Sequence, residues 1–152
     1  MTSQEQTYAA AGVSLATADA IVDRLRDAVA STQTPGVAGA FGAFAGLFAI
    51  DERRLLAAST DSVGSKLVLG RRGGRLRWCG ADLAAHCLND VLTTGAEPLF
   101  FLDYVAANTI DVEQVAELIE GAADVCRAAG CAILGGETAE LPGIYREDEL
   151  DF

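Results

Sequence analysis

The sequence is short of positive charge. Among its 152 residues are 22 Asp and Glu but only 11 Lys and Arg, which gives a formal net charge of -11. A chain with this excess of negative charge repels a phosphate backbone on average. We therefore expect no nucleic-acid partner.

Long apolar runs are also missing. Asp, Gly and Asn interrupt the apolar stretches before any reaches the roughly 20 residues of a membrane helix. Residues 1–10 are polar, with neither a cationic start nor an apolar core, and so they do not resemble a secretory signal. These absences predict no membrane partner and a cytoplasmic chain.

The four cysteines include no Cys-x-x-Cys pair, and their spacing fits no common zinc pattern. They are Cys79, Cys87, Cys126 and Cys131. We interpret them as reduced thiols that fill the core, with a disulfide or a metal site as the alternatives. The sequence also lacks the Gly-x-x-x-x-Gly-Lys-Ser/Thr loop, which excludes the usual P-loop inference.

Hydrophobic residues make up 51% of the chain and charged residues 22%, as in an ordinary globular protein. Ser14 can cap a helix through Ala30, and its apolar face is expected to pack inward. A glycine-rich passage, 36–46, is expected to be a loop that becomes ordered on a ligand. The apolar runs 47–50 and 55–58 flank a polar turn, which predicts a β-hairpin.

The second half alternates helices and strands. We predict an exposed loop around the arginines at 71, 72, 75 and 77, a helix over 81–94, and a largely buried strand over 99–106. A helix capped by Asp111 should run to Gly130, and a strand over 131–134 should end at Gly135. No helix or strand is predicted to hold the acidic tail after Pro142.

This order predicts an α+β fold, a small mixed or antiparallel sheet covered by helices. We divide the chain into 1–46, an N-terminal helix and glycine-rich loop; 47–144, the α+β domain; and 145–152, an acidic tail.

One segment, Thr60 to Lys66, combines a carboxylate, hydroxyls, a glycine and a lysine at the predicted end of a strand, as anion-binding turns do. Asp61 could hold a metal ion and Lys66 could meet a phosphate, while a structural turn is the alternative. On the next helix Asp82 lies seven and eight positions before Asn89 and Asp90, so the three could share magnesium or could form a solvated face.

Three further residues attract attention. His86 is the only histidine and lies one helical turn after Asp82, where a packing role or a satisfied polar contact is favoured over catalysis. Asp103 interrupts an apolar strand and must be paired, solvated or bound to metal. Glu137 follows Gly135 and Gly136, where a ligand could approach the backbone or a tight turn could form.

These pieces, in this order, resemble the phosphoribosylformylglycinamidine cyclo-ligase family. The blocks that carry the resemblance are Tyr8-x-x-Ala-Gly12-Val, the glycine-rich passage, Thr60 to Lys66, Asp82 to Asp90, Gly95-Ala-Glu-Pro-Leu-Phe-Phe-Leu-Asp-Tyr104, and Gly130-Cys-Ala-Ile-Leu-Gly-Gly-Glu-Thr-Ala-Glu-Leu-Pro-Gly143. The resemblance implies that ATP phosphorylates the amide oxygen of formylglycinamidine ribonucleotide, after which a substrate nitrogen displaces phosphate and closes the imidazole ring.

The same resemblance assigns the site. It implies that Asp61, Asp82 and Glu137 are magnesium or phosphate-site acids, and that Lys66, Asn89 and Asp90 join Asp61 in the catalytic set. Residues implied to contact the nucleotide are Gly39, Gly42, Gly46, Thr60, Asp61, Gly64, Ser65, Lys66, Asp82, Gly136, Glu137 and Thr138. ATP and Mg²⁺ are the implied cofactors.

Several features depart from the family pattern. Ala9 replaces a lysine found in many members, Ser62 and Ser65 stand where Gly and Thr are usual, and His86 replaces an apolar residue. Members also continue into a second domain and form a homodimer whose joined sheets make a barrel. Two alternatives remain: a non-catalytic dimerisation or nucleotide-binding module, and a small-molecule kinase of the thiamine-monophosphate kinase or selenophosphate synthetase type.

Overall fold

The computed structural model describes residues 7–152, which form two compact units, one ending at Leu56 and the other covering Ala57–Phe152. The first unit begins with helix α1, Leu15–Ala30, whose N-terminus is capped because the Ser14 side chain accepts from the Thr17 backbone N–H. No residue of α1 is buried, and Ile21, Val22 and Leu25 are exposed. The prediction of an inward-packed face is therefore wrong within residues 7–152, where the Ser14 cap supports the helix and none of its residues is buried.

Most of the glycine-rich passage lies outside regular structure, but its start forms strand β1, Val37–Ala38. β1 pairs antiparallel with β2, Gly46–Ala49, and β3, Leu55–Ala58, completes a three-stranded sheet in the order β1-β2-β3. The Ile50 N–H donates to the Arg54 carbonyl at 2.9 Å and closes the turn between β2 and β3. The predicted hairpin is confirmed, with the boundary between the two units falling inside β3.

The second unit contains the remaining elements. Helices α2, Lys66–Arg72, and α3, Leu76–Leu92, precede strand β4, Phe100–Ala107. Helix α4, Val112–Ala128, strand β5, Ala132–Glu140, and strand β6, Leu150–Asp151, complete the chain. The sheet has the order β5-β4-β6, with β4 parallel to β5 and antiparallel to β6. The α+β class is confirmed, although the strands form two small sheets.

Helices α3 and α4 supply much of the core of the second unit. Leu83, Leu118 and Val105 are buried together with Phe101 and Phe152. Glycines let the two helices approach closely: a Cβ on Gly80 would overlap the backbone of Leu118, and one on Gly121 would overlap the backbone of Arg77. The β4–β5 pair and the β6 strand pack against the same cluster through Phe101, Val105 and Leu150.

Five predictions for this unit are corrected. The arginine cluster lies on α2, α3 and the turn joining them instead of in a long loop, since Arg77 is held by ion pairs to Glu120 and Asp124. Helix α3 begins five residues before position 81 because Leu76 and Cys79 are buried. In β4 the side chains alternate, leaving Phe100, Leu102 and Tyr104 exposed.

The fourth and fifth corrections concern the last part of the chain. β5 continues through the Gly135-Gly136-Glu137 segment instead of ending there, because this stretch pairs with β4 after a shift in register. The tail is also held, since β6 pairs with Ala106 and Ala107, and Phe152 is only 3% exposed. Within residues 7–152 no helix combines the length and apolarity needed to span a bilayer.

Candidate functional site

A segment of eight residues, Ser59 to Lys66, runs from the end of β3 to the start of α2. The Asp61 carboxylate accepts from the Ser62 backbone N–H at 2.7 Å. Gly64 adopts a φ of 68°, a left-handed conformation that disfavours residues with a side chain. Val63 faces the core and is 7% exposed, which anchors the segment between its polar residues.

This segment is paired with one face of α3. Lys66 Nζ lies 2.7 Å from Asp82 Oδ2, and His86 Nδ1 lies 3.9 Å from Asp61 Oδ2. Ser59 Oγ donates to Asp90 Oδ2 at 2.8 Å. We call these three pairs the polar ladder.

The spacing along α3 explains the polar ladder. Asp82, His86 and Asp90 are four residues apart, and side chains at this spacing lie above one another on a helix. The segment runs in the opposite direction, so its later residue Lys66 meets the earlier position on α3. The sequence-based expectation that Asp82 and Asp90 project from one side of the helix is consistent with these contacts.

The polar ladder carries three carboxylates, on Asp61, Asp82 and Asp90, against the single lysine Lys66. Its side chains remain accessible, with Asp61 at 45%, Asp82 at 43% and Lys66 at 49% exposure. An anionic ligand cannot approach so acidic a surface without a counter-cation. The site can therefore present oxygen ligands to a divalent cation and an ammonium to a phosphate.

Cys87 lies beside the polar ladder. Burial raises the pKa of its thiol, while the Asp61 backbone N–H, which faces the sulfur, acts in the opposite direction. The thiol is thus protonated at neutral pH and is a packing group under Asp61.

The other predicted residues of this unit lie elsewhere on its elements. Asn89 is exposed on α3, and Gly136, Glu137 and Thr138 lie within β5 opposite Asp103, Tyr104 and Val105 of β4. No described hydrogen bond or ion pair joins Glu137 to the polar ladder. Among residues 7–152, no three His, Cys, Asp or Glu side chains converge to hold a metal ion. The metal set of Asp61, Asp82 and Glu137 remains a prediction.

Gly39, Gly42 and Gly46 belong to the first unit. Gly39 and Gly42 have φ values of 92° and 96°, so both turns favour glycine, and open space surrounds the position of a Cβ at each. Gly46 is instead the first residue of β2. Their implied nucleotide role stays a prediction.

Magnesium and ATP fit the residues of the polar ladder. Mg²⁺ is commonly bound by one or two carboxylates together with phosphate oxygens and water, and it does not require a cage of three protein ligands. The accessible carboxylates of Asp61 and Asp82 meet that requirement, and Lys66 is placed beside them. Thr60, Gly64 and Ser65 lie in the same segment and are exposed.

Sequence reasoning missed two partners in the site. Ser59 was not singled out, and His86 was expected near Asp82 but lies beside Asp61. The four-residue spacing of Asp82, His86 and Asp90 is the signal that could have revealed a continuous polar face. The partner of each residue depends on the direction of the Ser59–Lys66 segment, which the spacing does not give.

Comparison with known proteins gives three kinds of match. The family model described as AIR synthase related protein, N-terminal domain, matches residues 42–151. Proteins named phosphoribosylformylglycinamidine cyclo-ligase from Alkaliphilus metalliredigens and Myxococcus xanthus are each 47% identical over 149 residues. The protein of that name from Thermosynechococcus vestitus is 49% identical over 147 residues.

These alignments cover 95% of this chain but 43% of each relative, so the chain spans less than half the length of the relatives it matches. The crystal structure of thiamine monophosphate kinase from Aquifex aeolicus aligns with a TM-score of 0.55 and 15% identity, over 79% of this chain and 37% of that one. This likeness supports the fold.

Proposed function

This chain belongs to the AIR synthase related family, whose N-terminal domain it matches, and from that premise we propose that it forms part of an ATP-dependent cyclo-ligase. The proposed reaction closes the imidazole ring of formylglycinamidine ribonucleotide during purine synthesis. Relatives bearing the cyclo-ligase name support the reaction, and the polar ladder is the structural observation that supports a role for this chain.

In this reaction the γ-phosphoryl group of ATP is transferred to the amide oxygen of the substrate. A substrate nitrogen then attacks the same carbon, so that a C–N bond forms as the C–O bond breaks and phosphate leaves. Such a transfer depends mainly on positioning and charge neutralisation. Bound Mg²⁺ supplies neutralising charge at the phosphates.

The chain's own residues would divide the work. Asp61 and Asp82 would hold the cation through carboxylate oxygens, and Lys66, now 2.7 Å from Asp82, would contact a phosphate oxygen. Asp90, fixed by Ser59, and Asn89 contact the metal or the substrate from the same helix. Glu137 and Thr138, with Gly136, would extend the nucleotide site along β5, and Gly39, Gly42 and Gly46 would belong to an ATP-binding loop.

A homodimer is part of the proposal. The sheet of the second unit exposes Phe100, Leu102 and Tyr104 from β4, an apolar row that a second copy would cover while the sheets join into a barrel. The four free thiols agree with a reducing compartment such as the cytoplasm.

Calorimetric titration with Mg²⁺ and a non-hydrolysable ATP analogue tests the proposal. The 152-residue chain should bind, Asp61→Asn should weaken binding at least about tenfold, and Asp19→Asn on exposed α1 should bind like the unaltered chain. Absence of binding by a folded chain would refute the nucleotide role. Binding that Asp61→Asn leaves intact would place the nucleotide away from the polar ladder.

A further inference from the structure

Asp103 occupies a core-facing position of β4. Its neighbours two residues away, Phe101 and Val105, are 4% and 0% exposed. Residues two apart share a face of a strand, so the Asp103 carboxylate lies on the same side as these buried side chains. A charged group in such a position costs free energy unless a partner compensates it.

The carboxylate has no such partner in the part of the chain that the structure describes. No side chain within residues 7–152 forms an ion pair or hydrogen bond with it, and only its own backbone N–H favours the ionised form. Burial raises the pKa of this carboxyl group above its usual value. By contrast, Asp82 pairs with Lys66, and Asp90 accepts a hydrogen bond from Ser59.

The Asp103 side chain packs against the backbone of the neighbouring strand at a glycine. Gly136 is the register partner of Asp103, and a Cβ built on it would lie 2.6 Å from Asp103 Oδ1 and would overlap the Asp103 carbonyl oxygen. Any side chain at position 136 would thus displace the carboxylate. Gly136 is itself exposed and Asp103 is only partly buried, so the carboxylate remains accessible to a ligand.

We propose that Asp103 binds the amidine group of the ribonucleotide substrate and makes the site select an amidine over an amide. This inference rests on the proposed function, because the amidine belongs to the substrate proposed above. The position also borders Glu137 and Thr138, which the proposed function assigns to the nucleotide site.

The chemistry of the two groups is complementary. A protonated amidine is planar and presents two parallel N–H donors, as a guanidinium does to a carboxylate in a bidentate pair. It must give up one proton, for which the facing Asp103 carboxylate is the acceptor, before its nitrogen closes the ring. An amide at the same place would turn a carbonyl oxygen towards Asp103 and would be repelled. Partial burial strengthens both effects because water screens them less.

The test compares two ligands on the 152-residue chain by calorimetry: formylglycinamidine ribonucleotide, and the same ribonucleotide with an amide oxygen in place of the amidine nitrogen. The unaltered chain should bind the amidine ligand at least about tenfold more tightly, since hydrogen bonds to charged groups contribute on this scale. Asp103→Asn should abolish that preference. Asp19→Asn removes the same charge from exposed α1 and should retain it.

Three results would overturn the inference: a preference that survives in Asp103→Asn, equal weakening of both ligands by that variant, or failure of the unaltered chain to bind the amidine ligand. Titration with the ATP analogue is run in parallel. If the analogue fails to bind while the amidine preference depends on Asp103, the ATP-site proposal fails and the Asp103 inference stands.

Discussion

Gly80 of α3 faces the carbonyl of Leu118 on α4 so closely that a single methyl group at position 80 would overlap that oxygen. Leu118 is itself 0% exposed. Gly121 of α4 meets the Arg77 backbone in the same way, so each helix contributes one glycine to their contact. The crossing of α3 and α4 thus depends on two positions without side chains.

Substitution of Gly80 by alanine should destabilise the protein by about 3 kcal/mol, because a backbone atom cannot rotate away from the added methyl group. This net value already includes a gain of about 1 kcal/mol, because alanine has a higher helix propensity than glycine. Gly73→Ala is the matched control, since Gly73 has a φ of -88° and its Cβ would lie 3.3 Å from the nearest backbone oxygen. Urea unfolding measures both, and equal stability of the two variants would contradict the packing role of Gly80.

Removal of the Lys66–Asp82 ion pair should weaken ligand binding much more than it lowers stability. Both side chains are nearly half exposed, and pairs of this kind contribute about 0.2–1 kcal/mol. Lys66→Met should therefore change the free energy of unfolding by less than about 1 kcal/mol while it weakens ATP-analogue binding at least about tenfold. Urea unfolding and calorimetry on the same sample check this. A large loss of stability would show that the pair is structural.

Arg77 links α3 to α4 through Asp124 and Glu120. Hydrogen bonds from Arg77, and next from Arg127, hold the pKa of Asp124 below its usual value. A carboxyl group whose pKa is lowered by folding contributes stability above its unfolded pKa and loses it as pH falls through the folded pKa.

The stability difference between the unaltered chain and Arg77→Gln should therefore be present at pH 7 and shrink below about pH 4. Arg53→Gln, at an exposed hairpin position of the first unit, is the control and should show little difference at either pH. Urea midpoints between pH 3 and 7 provide the measurement. A difference that stays constant down to the lowest pH would argue against the ion pair.

For Cys126 we expect the opposite dependence of stability on pH. Burial, with the neighbouring Cys131 and Cys87, raises the pKa of the Cys126 thiol to about 11. Because folding favours the neutral thiol, its contribution is complete below the unfolded pKa of about 8.5 and is lost as pH rises towards the folded value. The stability advantage of the unaltered chain over Cys126→Ala should thus decline between about pH 8.5 and 11, as followed by urea unfolding.

Elements with local signals were predictable from the sequence. Ser14 and Asp111 each cap a helix by accepting a hydrogen bond from the backbone N–H three residues ahead. Such caps can be identified from a few consecutive residues. The hairpin of β2 and β3 was predicted from its two apolar runs and polar turn. The exposed side of α1 could not be predicted, because an amphipathic pattern does not say whether a partner is present.

Elements that depend on distant partners were missed. Helix α2 has only seven residues and contains Gly70, whose lack of a Cβ leaves space for the Cys79 sulfur of α3. β6 has two residues and forms because β4 offers an open edge. The glycines after Gly135 were interpreted as allowing either close approach of a ligand or a tight turn, but Gly136 packs against Asp103 within a continuous strand.

The candidate site was predictable in its residues but not in their pairing. Asp61, Lys66, Asp82 and Asp90 were identified from residue type and motif, and the polar ladder brings these four to one face of α3. Their pairing depends on how the Ser59–Lys66 segment runs along α3. Tertiary structure alone supplies that direction.

The polar ladder also constrains how this stretch can vary. Each of its three contacts joins a fixed position of the segment to a helix residue one turn from the next. Exchange of one small residue for another at Ser62 or Ser65 leaves the alignment of the segment with α3 unchanged. Insertion or deletion of a single residue between Ser59 and Lys66 would instead move at least one side chain away from its partner on α3. The segment should therefore tolerate changes in composition far better than changes in length.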